Sequence, residues 1–132
     1  WDEINKKLCS KDFSSQSILK RFNIEYQSPV ATLLDDLSVF NGKDIVPSLR
    51  ADNLLSPNDD LITSLKSKTG IEIVDTASYI KAIGVCLDEF AAVGCKFADH
   101  SLDFDFFETS DQSINILKLL ATEYATRNWT LL

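Results

Sequence analysis

Apolar positions along this chain recur at two spacings, and the alternation between them outlines its elements. Trp1, Ile4 and Leu8 keep a helical i, i+3, i+7 stripe. Ser10 to Phe13 is a polar break. Ser14 or Ser15 then suits the cap of a short helix through Arg21, with Ile18, Leu19 and Phe22 inward, and Asn23 suits a left-handed stop. Ile24-Glu25-Tyr26 predicts a short first strand, broken by Ser28-Pro29. Leu33, Leu34, Leu37 and Phe40 share a face if Val30 to Phe40 is helical. Asn41-Gly42 is a turn signal, and Asp44 to Leu49 predicts a second strand with Ile45-Val46 at its centre. Pro47 marks that strand's end or an irregularity in it.

A strong helix start follows at Ser56-Pro57-Asn58-Asp59. Ser56 is the expected N-cap, Pro57 takes the first helical position, and Asp59 meets the positive end of the helix dipole. Leu61, Ile62 and Leu65 form its inner face, and Thr69-Gly70 ends it. Ile71 to Val74 reads as an extended connector or a small edge strand. Asp75 caps the longest predicted helix, to about Val93, with Tyr79, Ile83, Cys86, Leu87 and Phe90 inward and Gly94 as its stop. Cys95 to Ala98 is the third strand. Leu102 to Phe107 is aromatic-rich and fits no single period. Ser110 or Asp111 caps a last helix to about Asn128, with Ile114, Leu117, Leu120, Ala121 and Tyr124 inward, and Trp129 to Leu132 is strand-like.

Strands alternating with helices predict an α/β fold with parallel strands. Parallel strands bring their carboxyl ends to one edge, where such folds place their sites. The polar residues assigned to that edge are Ser28, Arg50, Asp52, Asp99, His100 and Asp103. Arg50 can grip a carboxylate through its guanidinium fork. Asp99 can move a proton or accept a hydroxyl hydrogen bond, and His100, the only histidine, can do either job. Each has a plainer use: Arg50 and Asp52 as a loop salt bridge, Asp99 as a backbone cap, His100 as a supporting side chain. Asp35-Asp36 and Asp59-Asp60 read as solvated helix surface or caps.

Composition narrows the partners. The chain has 132 residues, one domain's length, with 45% hydrophobic and 25% charged residues. Its net charge of −7 disfavours nucleic acid as a partner. No basic amphipathic helix points to a membrane, and no apolar run is long enough to span one. Cys9, Cys86 and Cys95 lack metal-ligand spacing and read as free thiols of a reducing, cytoplasmic setting. No phosphate-binding loop, nucleophile elbow or histidine-pair metal motif is present.

Four stretches carry a family resemblance. They are Phe13-Ser14-Ser15-Gln16-Ser17-Ile18 with Asn23-Ile24; Val46-Pro47-Ser48-Leu49-Arg50-Ala51-Asp52-Asn53; Gly94-Cys95-Lys96-Phe97-Ala98-Asp99-His100-Ser101-Leu102-Asp103; and Glu123-Tyr124-Ala125-Thr126-Arg127-Asn128-Trp129. In order and spacing they resemble uronate isomerases, the glucuronate/galacturonate isomerase family of the amidohydrolase superfamily. The resemblance implies a (β/α)8 TIM barrel. Residues 1–132 would be a single central segment of it, with about three parallel strands and flanking helices. It implies an aldose–ketose isomerase, an intramolecular oxidoreductase that moves a proton between C1 and C2 of D-glucuronate or D-galacturonate and yields D-fructuronate or D-tagaturonate. Arg50 and Asp99 match substrate-site positions, Asp99 also as the catalytic residue, with His100 and Asp52 in support. A divalent metal, commonly zinc, serves the family; its ligands lie outside this segment, so no metal is expected on this chain.

The chain also departs from the family pattern. Ser28-Pro29-Val30-Ala31-Thr32 stands where the family has T-T-D-D-P, and Arg50-Ala51-Asp52-Asn53 where it has R-P-D-K. As a lone segment the chain is expected to be inactive and to associate through the open barrel edges. A non-catalytic binding or assembly module derived from the barrel is the alternative. A flavodoxin-like domain is a third reading, without the phosphate- or flavin-binding loop it needs.

Overall fold

The computed structural model describes residues 1–40, 42–101 and 111–132. Four strands, β1 (Val30–Thr32), β2 (Ser48–Arg50), β3 (Phe97–Asp99) and β4 (Thr130–Leu131), form one sheet in the order β1-β2-β3-β4. Every pairing is parallel. The helices are α1 (Asp2–Leu8), α2 (Ser15–Arg21), α3 (Asp59–Thr69), α4 (Thr76–Ala92) and α5 (Asp111–Thr126). Consecutive parallel strands require long crossovers. Here α3 and α4 lie between β2 and β3, and α5 between β3 and β4. The fold class is the expected α/β arrangement, with four parallel strands where about three were anticipated. The added one is β4, from the strand-like end at Trp129 to Leu132.

The sheet has two unlike faces. Ala31, Leu49 and Ala98 oppose one another in register and belong to the buried cluster with Leu65, Ile83, Leu87, Phe90 and Leu120. Their strand neighbours Val30, Thr32, Arg50, Phe97 and Asp99 point the other way, and all are exposed or half-buried. The apolar core is thus on the helix side, and the polar residues of the strand ends lie on the opposite face.

Three helices end by the same device. In the Schellman motif the residue after the cap turns left-handed, and the next two N–H groups bond back to the last turn. After α2, Asn23 (φ 51°) and Ile24 donate to Lys20 and Leu19 carbonyls at 3.2 and 2.9 Å. After α4, Gly94 (φ 87°) and Cys95 donate to Ala91 and Phe90. After α5, Asn128 (φ 57°) and Trp129 donate to Ala125 and Tyr124. At this last stop Trp129 stacks on Tyr124, centroids 6.0 Å apart. Arg127 ties the same turn to α4, donating to the Gly84 carbonyl at 3.1 Å and pairing with Asp88 at 2.7 Å. The Glu123-to-Trp129 stretch is therefore a helix stop and clamp that launches β4. Gly94 is further required because a Cβ there would sit 3.1–3.3 Å from Val46 and Gly42 atoms.

Several elements differ from their expected positions. Ile24 to Tyr26 is not a strand, because the Ile24 N–H is spent on the end of α2. Pairing starts as an isolated Gln27–Ile45 bridge, and the first strand is Val30–Thr32, inside the predicted helix. Two carboxylates break that helix: Asp35 accepts from the Thr32 N–H at 2.7 Å, and Asp36 accepts from the Ser38 N–H and hydroxyl. One 3-10 turn, Leu37–Val39, is all that remains of it. The second strand begins after Pro47 rather than ending at it. The α3 cap is Asn58, whose side chain accepts from the Leu61 N–H at 2.9 Å, and not Ser56. Ile71 to Val74 is a connector. Asp75 caps α4 as expected, in a reciprocal box with Ser78. The Asn41 half of the turn signal, Leu102 to Phe107 and Ser110 lie outside the described residues.

Candidate active site

Arg50 is the last residue of β2 and Asp99 the last of β3, and the register sets them directly opposite. The ladder continues past them, with the Ala51 N–H donating to the Asp99 carbonyl at 3.0 Å. The two side chains leave the same face at the same level, and Arg50 Nη2 lies 2.6 Å from Asp99 Oδ2. The Arg50 and Asp99 side chains are 36% and 30% exposed, so the pair is open to a solute. Among the described residues only one Asp99 oxygen is engaged.

A loop after each strand supports the pair. Arg50 Nη1 donates to Ser101 Oγ at 3.0 Å and makes a longer contact, 3.5 Å, to Asp52 Oδ2. Asp52 accepts from the Ser101 N–H at 2.5 Å, which ties the β2 and β3 loops together. Arg50 Nε is buried and has no hydrogen-bond partner among the described residues. The guanidinium is thus shared between Asp99 on Nη2 and Ser101 and Asp52 on Nη1, and a substrate carboxylate would compete with Asp99 for it.

His100 follows Asp99 but turns inward. It is 8% exposed, and its Nε2 lies 3.0 Å from the Tyr124 hydroxyl. Burial pushes its pKa below the ordinary histidine value, against the opposing pull of Asp52 and Asp99. Burial likewise pushes the Tyr124 hydroxyl well up.

Of the residues assigned to this edge, Arg50, Asp52, Asp99 and His100 come together. Ser28 does not, because the first strand lies after it and leaves it at the opposite, amino end. Asp103 lies outside the described residues. Two contributors were not singled out from the sequence. Ser101 stood inside the Gly94-to-Asp103 stretch and could have been read from it. Tyr124 was assigned to the core, and its tie to His100 spans 24 positions. The turn after β1, with Asp35 and Asp36, belongs to this edge too, though both acids are used as caps.

Among the described residues, no three His, Cys, Asp or Glu side chains gather into a group able to hold a metal ion. The divalent metal that the resemblance implies has no donor set on them, and no chemical step is routed through it. Also among them, no helix is long and apolar enough to cross a membrane. Cys86 and Cys95 are buried free thiols, both pushed up by burial, and Cys9 is free and exposed.

The profile of the family described as glucuronate isomerase matches residues 1–129. The chain belongs to this family. The uronate isomerase of Caldanaerobacter subterraneus subsp. tengcongensis is 30% identical over 137 residues, covering 93% of this chain and 29% of that protein. That of Lactococcus lactis subsp. cremoris is 30% identical over 138 residues, covering 96% and 29%. The chain thus spans about three tenths of these relatives' length. Solved structures share the fold. The glucuronate isomerase from Caulobacter crescentus superposes with a TM-score of 0.75 at 15% identity, covering 98% of this chain and 34% of that one. The uronate isomerase from Thermotoga maritima gives 0.69 at 17%, covering 99% and 36%. Within the glucuronate isomerase family, the Arg50–Asp99 pair is this segment's candidate contribution to a site.

Proposed function

We propose that residues 1–132 form an arc of a uronate isomerase barrel, with Arg50 and Asp99 as its contribution to the sugar-acid site. The observation that carries this is the in-register Arg50–Asp99 pair, 2.6 Å apart and partly open at the carboxyl ends of adjacent parallel strands, in a chain of this family. Aldose–ketose isomerisation of a uronate moves one hydrogen between C2 and C1 and one between O2 and O1, and consumes nothing else. It needs a grip on the acid group and a proton carrier near the two carbons. Arg50 supplies the grip, holding the substrate carboxylate or a ring-opened oxygen. Asp99, released from the guanidinium as substrate binds, accepts a hydroxyl hydrogen bond or carries the proton. Asp52 and Ser101 keep Arg50 aligned, and any metal chemistry enters with residues beyond those described.

The test is an isomerase assay on a chimera in which this chain replaces the matching segment of the Lactococcus lactis relative. Turnover of D-glucuronate or D-galacturonate is the expected result. A folded chimera with no turnover overturns the reading. The 132-residue chain alone is expected to give no turnover with divalent metal present, and turnover by it would contradict the division of the site proposed here.

The partner reading follows from the same arc. β1 and β4 are the end strands of the sheet, and end strands offer unpaired backbone groups. The chain alone should therefore self-associate through them. Analytical ultracentrifugation checks this, and a clean monomer at high concentration would contradict it.

A further inference from the structure

Tyr124 lies on the last turn of α5, far in sequence from the strand ends, yet its hydroxyl meets His100 Nε2 at 3.0 Å. Both side chains are buried, at 1% and 8% exposure. Tyr124 is held on two sides: its carbonyl receives the Trp129 N–H in the helix stop, and its ring stacks on Trp129. These contacts hold the Tyr124 hydroxyl in place against His100.

The proton between the two rings can be assigned by counting partners. Suppose the imidazole donates from Nε2. The Tyr124 O–H then finds no acceptor among the described residues, and the buried Nδ1 lone pair finds no donor. Suppose instead that Tyr124 donates to Nε2. The hydroxyl is then satisfied, and only Nδ1–H remains without a partner. Buried polar groups left unpaired cost stability, so the second arrangement is favoured. A neutral ring is consistent with burial outweighing the nearby Asp52 and Asp99 charges.

We propose that Tyr124 is a positioning residue of the candidate site: it donates to His100 Nε2 and fixes the imidazole in the Nδ1–H tautomer beside Asp99. Nε2 is then occupied and takes no part in proton transfer. The remaining ring nitrogen carries its hydrogen inside the protein, and the proton-moving role at this edge is left to Asp99. That last consequence rests on the proposed function; the tautomer does not.

The chain's single histidine makes the test direct. Long-range proton–nitrogen NMR of the labelled 132-residue chain at neutral pH gives one set of ring signals. The expected pattern is a pyrrole-type Nδ1 and a pyridine-type Nε2, the reverse of the preference of a free histidine side chain in water. Tyr124→Phe should shift the ring to the Nε2–H form or to protonation at a higher pH. Tyr79→Phe removes a different buried hydroxyl, one that donates to the Leu54 carbonyl, and should leave the pattern unchanged. An Nε2–H or charged ring in the unaltered chain overturns the proposal, as does a Tyr124→Phe spectrum identical to it. The unaltered chain alone decides the tautomer, so a Tyr124→Phe chain that does not fold cannot shield the proposal. An inactive chimera with the Nδ1–H pattern intact counts against the proposed function and not against this assignment.

Discussion

α2 and α4 end in the same way and lead very different lives. Each is closed by a left-handed residue, Asn23 or Gly94, with the next N–H bonded back to the final turn. Each opens on a capping side chain, Ser14 or Asp75, that accepts a first-turn N–H. Yet α2 buries none of its residues, whereas α4 buries seven, including Tyr79, Ile83, Leu87 and Phe90. Local signals therefore say where a helix stops and starts, and not whether it joins a core. α2 is also short, and short helices gain little without packing. The difference divides the molecule into a sheet-and-helix body that holds Arg50 and Asp99 and an amino-terminal part whose helices, α1 and α2, bury none of their residues.

The contrast can be broken most forcefully from the core. Phe90→Ala should cost about 3–5 kcal/mol, since the ring is fully buried. Urea denaturation followed by circular dichroism measures it, and a loss under about 1 kcal/mol would show that the body is not packed as described. Next is Gly94→Ala. It forces a left-handed alanine, at about 1–2 kcal/mol, into a space with atoms 3.1–3.3 Å away. The same substitution at Asn23 should leave the main transition in place and remove only helical signal. Equal effects at the two sites would erase the comparison.

Acid should act on the α4 cap. Hydrogen bonds from the Ser78 hydroxyl and N–H hold the Asp75 carboxyl below its usual range. A depressed folded value means that this contribution is present above the unfolded pKa and is lost as pH falls through the folded one. Asp75→Asn, which keeps the acceptor but not the charge, should flatten that part of the acid limb in urea midpoints taken from about pH 5 down to about pH 2. The smallest effect belongs to α2. Ile18, 37% exposed, should cost less than about 0.5 kcal/mol on truncation to alanine.

Much of this body was legible beforehand, and the misses have physical causes. Asp75, Gly94 and Gly70 announce helix ends because capping and left-handed turns restrict residue type. Val30 to Phe40 misled because Leu33, Leu34, Leu37 and Phe40 fit a helical face, while Asp35 and Asp36 could equally serve as turn caps. They do, and the strand moved there from Ile24 to Tyr26. Ser56 lost the α3 cap to Asn58, since both types cap well and spacing alone does not choose. At the site, Arg50, Asp52, Asp99 and His100 were legible because strand ends converge in a parallel sheet. Tyr124 was not, because a contact between α5 and the β3 end depends on packing that no local pattern records.

The Arg50–Asp99 pair is proposed to work on substrate rather than only to join two strands. Exposed ion pairs contribute about 0–1 kcal/mol, so a purely structural pair would be lost cheaply. The deciding measurement is kcat for uronate isomerisation by the Lactococcus lactis chimera carrying Asp99→Asn. The expected result is a fall of about 10²–10⁴-fold with folding intact. Turnover within a factor of about two of the unsubstituted chimera, a difference under about 0.5 kcal/mol in barrier, would contradict it and leave the pair a strand-end salt bridge.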